Sequence, residues 1–123
     1  MKEKTILIVD DDKSIRDALG HAFEKEGFIA IQAGNALQAM SQGALHQPDA
    51  IVLDLLMPGK NGLDCANDIR KEDWGKNIPI IILTSQTDQD FIATAIEEGL
   101  YDFHIKNQTS LEALVGLINE KLS

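Results

Sequence analysis

At 123 residues the chain is long enough for one domain with its own core, so neither disulfides nor a structural metal are required to hold it together. Its 44% hydrophobic and 25% charged residues are ordinary for a globular protein, but 20 Asp and Glu against 11 Lys and Arg leave a formal charge of −9. That imbalance excludes nonspecific attachment to DNA or to anionic membrane, and the single cysteine, Cys65, excludes an intrachain disulfide and a cysteine-based zinc site.

The first residues, Met1-Lys2-Glu3-Lys4, lead into an apolar stretch too short for a signal peptide or a membrane span, and a cytoplasmic location is expected. Ile6–Val9 reads as a strand. Ile15, Ala18, Leu19, Ala22 and Phe23 then repeat at the spacing of one buried helix face, opened by Ser14 with Asp17 and stopped at Gly27. Phe28–Ala33 is the second predicted strand, and Asn35 with Gln38 marks the next helix start. Ala50–Leu53 and Ile78–Leu83 are the third and fourth strands, both nearly all apolar, as strands covered on two faces are. Thr87 with Asp90 opens a helix carrying Ile92, Ala95 and Ile96, which Gly99 ends. Tyr101–Ile105 is the fifth strand, and Thr109 with Glu112 precedes a last stripe of Leu111, Leu114, Val115, Ile118 and Leu122.

Five strand–helix alternations predict an α/β fold, a doubly wound parallel sheet with helices on both sides, because parallel strands need long crossovers. No Pro/Gly/Ser-rich linker or internal repeat interrupts residues 1–123, so a single domain is expected.

In such a sheet ligands bind beyond the carboxyl ends of the strands. The residues there are Asp10, Asp11 and Asp12 after strand one, Asp54 after strand three, Thr84 and Ser85 after strand four and Lys106 after strand five. Packed carboxylates repel one another unless a cation neutralises them, and a few oxygen ligands with room for water suit Mg2+. An Asp beside that ion is a nucleophile for phosphoryl transfer, and Thr84 and Lys106 suit phosphoryl oxygens. Two acids after a strand also commonly cap the following helix, a role for Asp12 or Ser14. Asp54 has no such duty, since it ends a buried run and precedes Leu55-Leu56-Met57-Pro58-Gly59.

Ile6-Leu7-Ile8-Val9-Asp10-Asp11-Asp12, Leu53-Asp54-Leu55-Leu56-Met57-Pro58, Ile81-Ile82-Leu83-Thr84-Ser85 and Phe103-His104-Ile105-Lys106, in that order, resemble the response-regulator receiver family of two-component signalling. The resemblance implies a flavodoxin-like sheet of five strands in the order 2-1-3-4-5 with five helices. It implies phosphorylation on Asp54 by a sensor histidine kinase or a histidine phosphotransfer protein. Mg2+ would be held by Asp11 and Asp54 directly, by Asp10 largely through water and by the backbone carbonyl of Leu56. Thr84 and Lys106 would hold the phosphoryl oxygens, and Thr84 with Phe103 would form the switch. Its output would be binding to an unidentified protein through the face of the fourth helix, fifth strand and fifth helix, with no direct contact to nucleic acid or membrane.

One departure from the family is Asn107, which follows Lys106 where the family usually has Pro. A non-proline cis peptide costs about 3–4 kcal/mol, so a trans Lys106–Asn107 bond is expected. Leu56 and Gln86 should border the approach of hydrolytic water. A Mg2+-dependent phosphatase with an Asp nucleophile is a rival, but the acid such enzymes carry two residues on is replaced by Leu56. A receiver fold that no longer takes phosphate is another; the intact acidic, Thr and Lys positions oppose it. His21, His46 and His104 are too scattered for a metal cluster, and no activating base accompanies Cys65. Trp74, in the polar loop 72–77, either covers core or meets a partner.

Overall fold

The computed structural model describes residues 3–55, 57, 59–84, 102–105 and 110–123, without side-chain detail at 84, 102, 103 and 105. The strands are β1 (Thr5–Val9), β2 (Ile29–Ala33), β3 (Ala50–Asp54), β4 (Ile80–Thr84) and β5 (Asp102–Ile105). They form one sheet in the order β2-β1-β3-β4-β5, every neighbouring pair parallel. The helices among the described residues are α1 (Lys13–Lys25), α2 (Ala36–His46), α3 (Gly62–Arg70) and a C-terminal helix (Leu111–Lys121), with a short 3-10 turn at Asp73–Gly75. The helix expected from Thr87 to Gly99 lies outside the described residues.

The near-continuous apolar strands are buried on both faces because successive side chains point to opposite sides. Leu7, Val9, Ile51, Leu53, Ile80 and Ile82 face one core with Ala39 of α2 and Cys65, Ala66 and Ile69 of α3. Ile6, Ile8, Val52, Ile81 and Leu83 face the other with Leu19 and Phe23 of α1 and Leu114, Val115 and Ile118 of the C-terminal helix. Among the described residues, two members of the predicted helix stripes stay at the surface. Ala18 and Leu111 are exposed and border a groove of about 330 Å3 between α1 and the C-terminal helix.

Local chemistry sets the element ends, and several fall one or two residues from the sequence reading. α1 is capped by Asp12, whose Oδ1 accepts from the Ser14 and Ile15 amides; Ser14 therefore lies inside the helix rather than at its cap. Ser110, not Thr109, caps the C-terminal helix by accepting from the Ala113 amide at 3.0 Å. At the end of α1 the Gly27 amide donates to the Glu24 carbonyl and the Phe28 amide to the Phe23 carbonyl, with Gly27 at φ 90°. The Phe23 and Phe28 rings meet edge to face at 5.6 Å, completing a glycine-terminated helix stop that takes Phe28 out of β2. β4 begins after Ile78 because Pro79 has no N–H to pair, while the Ile78 carbonyl accepts from Arg70 Nη1 at 2.6 Å.

Trp74 covers core. Its ring packs on α2 at Gly43, where an added Cβ would fall 2.6 Å from Cζ2 and nearer still to other ring atoms.

Candidate metal and phosphoacceptor site

β1 and β3 are direct neighbours, paired with Val9 opposite Leu53. Asp54 is the last residue of β3 and Asp10 the first after β1, so the two leave the sheet side by side at its carboxyl edge. Asp11 is the next residue out. One carboxylate oxygen from each of Asp10, Asp11 and Asp54 can be chosen so that all three lie within 4.8 Å of one another. Asp10 is 2% exposed and Asp54 5%, whereas Asp11 is exposed. Three hard oxygen donors, two of them withdrawn from water and one open to solvent, fit an oxygen-preferring divalent cation that keeps some of its water. The chemistry of this donor set suits Mg2+.

Asp10 is tied at both its backbone and its side chain. Its amide donates to the Ala33 carbonyl at 3.1 Å, its carbonyl accepts from Arg16 Nη1 at 2.7 Å, and its Oδ1 accepts from the Asp12 amide at 2.9 Å. Arg16 is itself aimed by Gln32 of β2, whose Oε1 accepts from Arg16 Nε at 3.2 Å. Gln32 Nε2 donates to Asp17 Oδ1 at 3.2 Å, and Asp17 pairs with Lys13 at 2.8 Å. The hydrogen bonds from Lys13 and then Gln32 hold the Asp17 carboxyl below its ordinary value. Sequence reading missed Arg16 and Gln32. An arginine in the first turns of an amphipathic helix looks like any solvated charge, and its target is a carbonyl six residues back.

On the other side of Asp54, Asn61 caps α3 by accepting from the Asp64 amide at 2.9 Å, and the Gly62 amide donates to the Leu55 carbonyl at 2.7 Å. Lys60 pairs with Asp68 of α3; that hydrogen bond raises the lysine above its ordinary value and lowers the aspartate. Cys65 is buried and its thiol is pushed up to about 11 by loss of hydration, then by the Asp68 charge, which removes it as a nucleophile at neutral pH.

Thr84 ends β4, opposite Ile105 of β5, and Asp54 is opposite Leu83, so the backbone of Thr84 lies one step past Asp54 at the same edge. Phe103 lies within β5 opposite Ile82. Leu56, Gln86, Lys106 and the Lys106–Asn107 peptide lie outside the described residues. His21 and His46 are exposed and His104 half-buried, on different elements. No helix among the described residues is long and apolar enough to cross a membrane.

Fold and site together define a flavodoxin-like α/β domain carrying a carboxylate cluster at the carboxyl edge of its sheet. Residues 6–119 match the model of the response regulator receiver domain, and the chain belongs to that family of two-component signalling proteins. It is 36% identical over 106 residues to the phosphate regulon transcriptional regulatory protein PhoB of Pseudomonas aeruginosa, covering 86% of this chain and 46% of that protein. It is 37% identical over 99 residues to sporulation initiation phosphotransferase F of Bacillus subtilis, covering 80% of this chain and 78% of that one. The chain thus spans about half the length of the first relative and most of the second. Among solved structures, chemotaxis protein CheY4 of Vibrio cholerae superposes with a TM-score of 0.88 over 98% of this chain and all of that one, at 24% identity. A protein of Chloroflexus aurantiacus gives a TM-score of 0.86 at 30% identity, covering 98% of each chain.

Proposed function

We propose that this chain is a single receiver domain over residues 1–123 that works as a phosphorylation switch, with Asp54 as its phosphoacceptor. The observation that carries this reading is the convergence of the Asp10, Asp11 and Asp54 oxygens within 4.8 Å, with Asp54 nearly buried at the sheet edge. Asp11 and Asp54 would hold Mg2+ directly, Asp10 largely through water and Leu56 through its carbonyl. When bound, Mg2+ offsets the negative charge that gathers between the carboxylates and the incoming phosphoryl group.

A carboxylate oxygen of Asp54 attacks phosphorus. The new O–P bond forms as the bond to the donor breaks, and that electron pair leaves with the donor, the histidine nitrogen of a sensor kinase or phosphotransfer protein. Asp10, held at its amide, carbonyl and carboxylate, keeps the acidic loop in place during transfer. Thr84 and Lys106 take the phosphoryl oxygens of the product, and Thr84 and Phe103 carry its state to the face formed by the fourth of the family's five helices, the fifth strand and the last helix. A partner protein reads the switch there, in the cytoplasm. This chain itself contacts neither nucleic acid nor membrane; PhoB is named a transcriptional regulator, and what a longer protein containing this chain would bind is a separate matter.

The test is labelling with acetyl phosphate and Mg2+. One acid-stable, base-labile phosphoryl group should appear, located on Asp54 by mass spectrometry and lost in Asp54→Ala. Stoichiometric labelling of Asp54→Ala, or none of the wild type, would sink the reading.

A further inference from the structure

We propose that Gly62 is a positioning residue for the phosphoacceptor, its missing side chain allowing α3 to start directly against the Asp54–Leu55 backbone. The inference rests on Asp54 being the acceptor. Gly62 is buried at the first position of α3, just after the Asn61 cap. A Cβ built there would lie 2.8 Å from the Leu55 Cα and 2.9 Å from the Asp54 carbonyl carbon, and closer still to the Asp54 carbonyl oxygen. All three are backbone atoms of the phosphoacceptor strand and its exit, so no flexible side chain can swing away to make room. Either the Asp54–Leu55 peptide or the start of α3 must move.

Neither moves independently of the site. The Gly62 amide donates to the Leu55 carbonyl at 2.7 Å, which ties the helix start to the residue after Asp54. On the strand side, Asp54 is fixed by pairing of β3 with both β1 and β4. A shift of a few tenths of an ångström in the Asp54 backbone is passed to its carboxylate, and the three-oxygen cluster with Asp10 and Asp11 loosens. Gly62 differs in this from Gly59, which serves its loop through a left-handed backbone at φ 87° and has open space where a Cβ would go.

Gly43 provides the control. An added methyl there also clashes, but against the Trp74 ring, near the end of α2 that leads into the start of β3 and so away from the carboxyl edge with the acidic cluster. Gly62→Ala and Gly43→Ala should therefore both lose stability, while only Gly62→Ala loses the site. In metal-free protein, Gly62→Ala should displace the Asp54 and Leu55 amide resonances. Its Mg2+ dissociation constant by calorimetry should rise at least fivefold and its rate of labelling by acetyl phosphate fall at least tenfold, with Gly43→Ala within twofold of wild type on both. If Gly62→Ala does not fold, the comparison is repeated in trimethylamine N-oxide, which favours the compact state. Recovered circular dichroism with Mg2+ binding still weak supports the proposal. A folded Gly62→Ala with wild-type Mg2+ affinity and unmoved Asp54 and Leu55 resonances overturns it. Absence of Asp54 labelling in the wild type would instead strike the reading on which it rests.

Discussion

On the face of the sheet covered by α2 and α3, backbone and ring lie against glycines: Trp74 on Gly43, Ile69 on Gly75, and the Asp54–Leu55 peptide on Gly62. On the face covered by α1 and the C-terminal helix, spacing is set by side chains. Phe23 and Phe28 meet edge to face, a Cβ added at Gly20 would have its nearest neighbour, Gln32 Nε2, at an ordinary contact distance of 3.5 Å, and Gly116 faces open space beside the 330 Å3 groove. The contrast separates two ways of filling a core. Side chains tolerate small readjustments, whereas a glycine pressed against another main chain, as Gly62 is against Asp54–Leu55, fixes the distance between the two backbones and leaves little to adjust. The face with the close glycine contacts is the one that braces the end of β3, where Asp54 lies.

Adding one methyl group to each face probes that contrast. Gly43→Ala should be the more damaging, because the new Cβ enters the Trp74 ring; a loss of about 2–3 kcal/mol is expected despite alanine's better helix propensity. Urea unfolding followed by circular dichroism measures it, and an unchanged midpoint would show that the Trp74 loop yields freely. Next in size is an alkaline effect confined to the tightly packed face. Cys65 titrates near 9.0 when unfolded and near 11 when buried, so its contribution is fully present below pH 9 and is lost as pH rises through 11. The stability advantage of wild type over Cys65→Ala should accordingly shrink by on the order of 2 kcal/mol across that window. A difference constant with pH would mean the thiolate is accommodated in place. Smallest, and opposite in sign, is Gly116→Ala. With no neighbour within 4 Å of the new methyl and a helix around it, stability should rise by about 0.5–1 kcal/mol, read as a higher urea midpoint. A fall there would mean that the groove face also depends on close main-chain approach.

Much of this molecule is legible in one dimension. Apolar runs at Ile6–Val9, Ala50–Leu53 and Ile78–Leu83 mark strands covered on both sides, because period-two alternation disappears when both faces are buried. Chain order alone brings Asp10, Asp11 and Asp54 toward one edge, since parallel strands all end on the same side of the sheet. The start of α2 was legible to the residue at Asn35, whereas those of α1 and the C-terminal helix were legible only to within a residue or two, because Asp12 and Ser14, or Thr109 and Ser110, are chemically equivalent caps until the backbone selects one. What the tertiary structure decided was everything resting on contacts between distant residues. The pairing of Val9 with Leu53 sets Asp10 beside Asp54, the Arg16 guanidinium reaches the Asp10 carbonyl, Trp74 turns onto Gly43, and Gly62 comes up against the Asp54 carbonyl. Propensity and periodicity report which residues prefer to be buried or helical; they hold no record of which two surfaces meet, and a glycine's worth depends wholly on what stands where its side chain would be.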